Sequence, residues 1–74
     1  MDNQHRQIKG YRDLSRAEID AMNRVKDKAA EVGALLDDLG RMESVDPRWL
    51  AIARTDLQKG FMSATRAVAK PDFF

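Results

Sequence analysis

The sequence contains no cysteine, a single histidine (His5) and no long hydrophobic run, and each of these shortages excludes a class of protein. Without cysteine there is neither a disulfide framework nor a thiolate metal site, and one histidine argues against a zinc centre. No metal and no cofactor are therefore expected. Small secreted domains usually need such cross-links, so their absence favours a reducing cytoplasm.

The hydropathy pattern of the sequence also predicts neither a membrane-spanning segment nor a secretory signal. No apolar stretch approaches the roughly 20 residues that cross a bilayer, and the polar N-terminus lacks a signal-peptide core. Neither sign of charge is in excess, since 13 basic residues face 12 acidic ones for a net charge of +1. Binding to a nucleic-acid backbone depends on many uncompensated basic residues. We therefore expect no membrane partner and no long nucleic acid as a partner.

The main positive signal in the sequence is a pair of apolar patterns with helical spacing. The first comprises Met22, Val25, Ala29, Val32, Leu36 and Leu39, and the second comprises Leu50, Ala53, Leu57, Phe61, Ala64 and Val68. The short polar stretch between them predicts an antiparallel pair, so the fold class is all-α, a two-helix hairpin. Further apolar and small residues flank both patterns. A chain of 74 residues cannot bury this surplus in one hairpin, which predicts self-association.

The start and end of the first helix are marked by specific residues. Ser15 and Glu18 have the spacing of a capping box, in which each side chain satisfies an unpaired backbone N–H at the helix start. The helix should therefore begin at Arg16. Gly40 follows the last apolar position and is expected to close the helix in the left-handed conformation.

The second helix is marked in the same way. Asp46 followed by Pro47 is an N-cap residue followed by proline at the first helical position, and Pro71 forbids continuation. The helix should run to about Ala69. The chain is therefore predicted to be a single domain, with an N-terminal arm (1–14), helix one (15–40), a turn (41–45), helix two (46–70) and a tail (71–74).

The register of the hairpin decides which side chains meet. If the turn centres near Glu43, Lys26 lies opposite Gly60 and Arg66 lies opposite Asp20. Arg66 would then stand at the open end of the hairpin, where the N-terminal arm enters. Tyr11 of the arm reaches Lys26 of the same chain only if the arm folds back, and contact with Lys26 of another chain is equally plausible.

Lys26 is open to three interpretations. Its methylene stem can lie along the edge of the apolar stripe while its ammonium reaches water. Because Ala30 and Gly33 leave room beside the helix, the ammonium can instead offer a compact positive charge to a phosphate. The same small residues can also allow close approach of a helix from another chain.

The N-terminal arm and the end of helix two contain the other candidate binding residues. The arm is either a frayed basic segment or a phosphate- and base-binding segment, in which Arg6 and Lys9 meet phosphates and Tyr11 stacks on a base. Stacking of a base on an aromatic ring contributes about 1–3 kcal/mol. Arg66 and Lys70 have a structural role available, since both complement the helix dipole. No arrangement of serine, histidine and acid indicates catalysis, so the protein is not expected to be an enzyme.

Residues 4–15 and 46–62, together with Arg66-Ala67-Val68 and Pro71, resemble the phage anti-CBASS cyclic-nucleotide sponges. These stretches are long and non-repetitive, and the likeness spans nearly the whole chain. The resemblance implies a helical hairpin that assembles as a homohexamer. It also implies binding of cyclic dinucleotides in pockets between protomers, and possibly of cyclic trinucleotides at separate sites. These ligands would be sequestered without cleavage in the host bacterial cytoplasm.

The resemblance also implies roles for particular residues. Tyr11 would stack on a base and Lys26 would contact the phosphates of a cyclic dinucleotide. Arg66 would serve the trinucleotide site, with Arg6 and Lys9 as neighbours. Lys28 stands where relatives are expected to carry a smaller polar residue.

Two other functions are consistent with the residues alone. The hairpin could be a structural module for oligomerisation, or an adaptor whose flanking surfaces bind protein and no nucleotide. A small nucleic-acid-binding protein is a further alternative, and its affinity for linear oligonucleotides would fall steeply with salt.

Overall fold

The computed structural model describes residues 13–71 of the chain, and all secondary structure within this range is helical. Helix α1 spans Arg16–Gly40 and helix α2 spans Pro47–Ala69. The two helices pack against each other in antiparallel directions, joined by a short turn. The predicted all-α, two-helix hairpin is confirmed. Of the candidate binding residues, Arg6, Lys9 and Tyr11 lie outside the described residues.

Helix α1 begins at the predicted capping box. The backbone N–H of Glu18 donates to the Ser15 hydroxyl at 3.1 Å, and the backbone N–H of Ser15 donates to the Glu18 carboxylate at 2.8 Å. Each side chain thus satisfies a backbone donor that has no partner inside the helix. These two bonds fix Arg16 as the first helical residue.

The end of α1 differs from the expectation for Gly40. Gly40 remains helical, and the capping residue Arg41 has right-handed torsion angles of φ −87° and ψ −7°. The last turn tightens instead, because the N–H groups of Arg41 and Met42 donate to the carbonyls of Asp38 and Leu39, both at 3.1 Å. These bonds use the terminal carbonyls without a reversal of the backbone, so the left-handed glycine is not needed.

Helix α2 begins and ends as the sequence predicts. The Asp46 carboxylate accepts hydrogen bonds from the N–H groups of Arg48 at 2.8 Å and Trp49 at 3.4 Å, and Pro47 occupies the first turn. After Ala69, Lys70 adopts a left-handed conformation with φ 45°, and its N–H donates to the Arg66 carbonyl at 2.8 Å. The residue that caps a helix in the left-handed conformation is therefore Lys70, at the end of α2.

Two contacts near the turn set the register of the helices. The Arg54 guanidinium donates to the Asp37 carboxylate at 2.9 Å. A Cβ atom built on Gly40 would lie 3.6 Å from Cδ2 of Leu50. Both pairs centre the hairpin close to Val45 rather than Glu43. The expected pairings of Lys26 with Gly60 and of Arg66 with Asp20 are therefore both displaced by about one turn. Lys26 lies level with the turn that ends at Thr65.

The core of the hairpin is thin. Among the described residues only Leu36 and Ala69 are buried, with 6% and 2% of their surfaces exposed. Large apolar side chains remain in contact with solvent, with exposures between 38% and 67%: Ile19, Leu35, Met42, Trp49, Leu57 and Met62. The single hairpin therefore leaves the predicted surplus of apolar surface uncovered. Over residues 13–71, neither helix is both long and apolar enough to cross a bilayer.

Candidate functional site

An open groove of about 500 Å³ runs between the two helices. Pockets that bind small molecules have volumes of about 300–1,000 Å³, so the groove is of ligand size. Helix α1 lines it with Val25, Lys26, Ala29, Val32, Gly33 and Leu36, and α2 lines it with Arg54, Leu57, Gln58, Phe61, Met62 and Thr65. We call this the interhelical groove.

The helical repeat explains why these α2 residues share one wall. Arg54, Gln58, Phe61 and Thr65 follow one another at steps of four, three and four residues, which keeps them on one face of the helix. Apolar residues form most of the groove surface, and its polar groups are few. A mostly apolar cleft with a few placed polar groups is typical of ligand-binding sites.

Lys26 supplies the positive charge on the α1 wall of the groove. The residue is exposed, and among residues 13–71 no carboxylate lies within 4.0 Å of its ammonium group. Val25 and Ala29, which line the same wall, are apolar. An ammonium in this position can meet an anionic group of a ligand while the rest of the ligand lies on apolar surface.

The opposite end of the groove is marked by the Arg54–Asp37 ion pair. Arg54 lines the groove, and its side chain is 41% exposed while that of Asp37 is 61% exposed. The carboxylate compensates the guanidinium charge at 2.9 Å. The two cations of the groove therefore differ, because Arg54 is paired with Asp37 whereas Lys26 has no carboxylate partner among residues 13–71.

Small residues form the floor between these ends. Ala29 and Gly33 lie one turn apart on α1, and both line the groove. A Cβ atom built on Gly33 would meet no heavy atom within 4 Å. The backbone at Gly33 is therefore accessible to a flat group. Ala30, the other small residue singled out beside Lys26, does not line the groove.

Arg66 stands apart from this groove. It is exposed in the last turn of α2, and its carbonyl accepts the capping hydrogen bond of Lys70. Although Arg66 directly follows the groove residue Thr65, it does not line the groove. Of the two candidate binding residues that the structure describes, Lys26 therefore lines the groove and Arg66 does not.

Tyr11, Arg6 and Lys9 lie outside the described residues, so their grouping with Lys26 or Arg66 remains a prediction.

Lys28 lies on the other edge of the hairpin. It lines a smaller depression, of about 390 Å³, together with Arg24, Phe61 and Ala64. Its ammonium donates to the Glu31 carboxylate at 3.2 Å. Lys28 therefore does not add charge to the interhelical groove.

Sequence reasoning missed several groove residues, namely Arg54, Gln58, Met62 and Thr65. The signal was present in the helical spacing of Arg54, Gln58, Phe61 and Thr65, which places two polar residues and one arginine beside the apolar stripe. Met62 is the most exposed large apolar side chain of the described range, at 67%. Within residues 13–71 there is also no group of three or more side chains suited to hold a metal ion.

The fold and groove define a class, that of small two-helix hairpins with an open ligand-sized groove between the helices. The model of one protein family, described as the Acb2/Tad1 hairpin domain, matches residues 3–69. Anti-CBASS protein 2 of Pseudomonas phage JBD67 is 37% identical to the chain in an alignment of 106 positions, gaps included, that takes in 97% of this chain and 98% of that protein. The chain belongs to the Acb2/Tad1 hairpin family, and the resemblance seen in its sequence is confirmed.

Proposed function

We propose that the protein is a phage anti-CBASS sponge that binds cyclic dinucleotides in the host bacterial cytoplasm and sequesters them without cleavage. Membership of the Acb2/Tad1 hairpin family and the similarity to a phage protein named anti-CBASS protein 2 support this function. The observation that carries it is the ammonium of Lys26, which has no carboxylate partner among residues 13–71 and borders an apolar groove of ligand size.

The proposed binding mode assigns one task to each group. Lys26 contacts the ligand phosphates, and Tyr11, from the same or a neighbouring chain, stacks on a base. Charge-assisted hydrogen bonds to phosphate are about twice as strong as neutral ones. A site of this kind holds the ligand by charge and stacking, and the proposal is that the ligand is released intact.

The proposal extends to assembly and to a second site. A homohexamer would cover the apolar side chains that one hairpin leaves exposed. Arg66, with Arg6 and Lys9 as neighbours, would bind cyclic trinucleotides at a site separate from the interhelical groove. The position of Arg66 outside that groove supports two sites rather than one.

Calorimetric titration with a panel of cyclic di- and trinucleotides tests the proposal. We expect Lys26→Ala to weaken cyclic dinucleotide binding by about tenfold or more, because one charge-assisted contact is lost. Lys59→Ala is the matched control, since it removes the same charge from an exposed position outside the groove. Lack of binding to every cyclic nucleotide of the panel would refute the proposed function.

Recovery of the bound nucleotide separates sequestration from cleavage. The loaded protein is denatured, and the released nucleotide is analysed by chromatography and mass spectrometry. Intact ligand in molar proportion to the protein is expected. A linear product would identify a phosphodiesterase instead.

A structural or adaptor module is the second candidate, favoured by the exposed apolar side chains at the turn end of the hairpin. Trp49 is 61% exposed and Met42 is 52% exposed, and the Arg48 guanidinium lies 5.5 Å from the centre of the Trp49 ring. For such a module, Lys26→Ala and Tyr11→Ala would change assembly or protein binding, and no cyclic nucleotide would bind.

A further inference from the structure

Gln58 is a polar residue on the α2 wall of the groove. It lies on α2, it is exposed, and its amide makes no hydrogen bond to any of residues 13–71. A glutamine amide presents one acceptor and two donors on a rigid plane. The side chain can therefore form a paired donor and acceptor contact with a ligand.

The other polar groups of the groove are already engaged or carry donors only. The Thr65 hydroxyl donates to the Phe61 carbonyl at 2.9 Å, and the Arg54 guanidinium is paired with Asp37 at 2.9 Å. Lys26 offers an ammonium, which has no acceptor. The remaining groove residues are apolar. Among the described residues that line the groove, Gln58 alone offers a donor and an acceptor together.

The register places Gln58 at a useful distance from Lys26. Arg54 meets Asp37, so Gln58, one turn further along α2, stands level with Gly33, one turn earlier on α1. Gly33 is seven residues from Lys26, or about 10 Å along the helix axis at 1.5 Å per residue. A nucleotide spans a comparable distance from its phosphate to the far edge of a purine base.

The floor between the two residues suits a planar ring. Ala29 and Gly33 present little side chain, and a Cβ atom at Gly33 would have no heavy atom within 4 Å. A base whose phosphate lies at Lys26 can therefore extend over this floor until its edge reaches the Gln58 amide. The positive end, the apolar floor and the amide occur in the order that a nucleotide requires.

We infer that Gln58 reads the edge of the base and selects adenine over guanine, an inference that rests on the proposed function of the groove. The amide of glutamine forms two hydrogen bonds with adenine, accepting from N6 and donating to N7. Guanine presents two acceptors at the same edge, O6 and N7, so the amide oxygen has no donor to meet. The expected preference for adenine is about tenfold or more.

Binding of two ligands to three forms of the protein tests the inference. The ligands are cyclic dinucleotides with two adenines or with two guanines, and the proteins are the unmodified chain, Gln58→Met and Gln58→Glu. Methionine and glutamate have helix propensities close to that of glutamine, so α2 is retained. We expect the adenine preference to fall to about onefold in Gln58→Met. Gln58→Glu should weaken adenine binding by about tenfold or more, because the carboxylate cannot donate to N7.

Two control variants separate base recognition from other effects. Lys26→Ala should weaken both ligands by a similar factor and leave their ratio unchanged, since the phosphate is common to both. Lys59→Met, on the same helix but outside the groove, should change neither ligand nor ratio.

The outcomes distinguish failure of the inference from failure of the proposed function. Binding of both ligands with a ratio that neither Gln58 variant changes would overturn the inference and leave the function standing. Absence of binding to the unmodified protein would overturn both. A further outcome would also overturn the inference. If the ratio of the adenine and guanine affinities stays constant while Gln58→Glu alters the molar mass of the protein in solution, Gln58 contacts a second copy of the chain rather than a base.

Discussion

The Arg54 guanidinium of α2 lies 2.9 Å from the Asp37 carboxylate of α1. The two residues are seventeen positions apart in the sequence, and their ion pair connects the two helices. The pair stands at one end of the interhelical groove, which Arg54 also lines. Since Lys26 and Gln58 lie on opposite helices, their relative position depends on the register that this contact helps to set.

Removal of the ion pair should reduce stability only slightly. Both partners are substantially exposed, at 41% and 61%, and exposed pairs contribute about 0.2–1 kcal/mol. We therefore expect a coupling free energy of this size from a double-mutant cycle with Arg54→Ala and Asp37→Ala, measured by urea unfolding. The pair Lys28 and Glu31, within α1, is a control for a contact that does not connect the helices. A coupling near zero for Arg54 and Asp37 would show that packing alone sets the register.

Gly40→Ala should stabilise the protein. Gly40 is helical, and an added Cβ would meet Leu50 at 3.6 Å, an ordinary van der Waals distance. Replacing glycine by alanine in a helix is worth about 0.5–1 kcal/mol. Urea unfolding should show an increase in the free energy of unfolding of this size. A decrease would mean that Gly40 is left-handed in solution, as the sequence alone had indicated.

Lys70→Gly should also stabilise the protein, in this case because it introduces a glycine at a left-handed position. Lys70 has φ 45°, a left-handed conformation that costs a residue with a side chain about 1–2 kcal/mol. Glycine adopts it freely, although loss of the positive charge at the helix end offsets about 0.3–1 kcal/mol. We expect a net gain of roughly 0.5–1 kcal/mol in the free energy of unfolding. Lys59→Gly, which removes the same charge from the helix interior, should instead destabilise the protein.

Asp46→Ala tests the cap of α2. The carboxylate accepts hydrogen bonds from the N–H groups of Arg48 and Trp49, and loss of such a cap costs about 0.5–2 kcal/mol. Thermal unfolding followed by circular dichroism should show a lower Tm. Asp56→Ala is the control, because Asp56 is exposed within α2 and caps no helix. Equal effects of the two substitutions would contradict the capping role.

The helix boundaries could be predicted from sequence because they depend on local chemistry. The capping box of Ser15 with Glu18 acts over three residues, and so does the cap formed by Asp46. The register could not be predicted in the same way. A shift of one helix by a full turn returns the same apolar stripe to the interface, so the pattern alone does not distinguish Gly60 from Thr65 as the level of Lys26.

Only some residues of the candidate site could likewise be singled out from the sequence. Lys26 stood out because it lies beside Ala30 and Gly33 on its own helix. Gln58 and Met62 did not, because lining a groove is a property of two packed helices rather than of one. The conformation of Gly40 was missed since hydrogen bonds from Arg41 and Met42 close α1, a choice that depends on the path of the whole turn.

Ligand binding should raise the stability of the protein in a manner that depends on Lys26. A ligand that binds only the folded state stabilises it by about 2.7 kcal/mol at a concentration of 100 times Kd. For a domain of this size, that corresponds to a rise in Tm of about 10 °C or more. Thermal unfolding with and without a cyclic dinucleotide measures the shift at a fixed protein concentration. At the same ligand concentration the shift should shrink in Lys26→Ala and persist in Lys59→Ala, because only the former removes a cation from the groove. An equal shift in both variants would place the phosphate elsewhere on the hairpin.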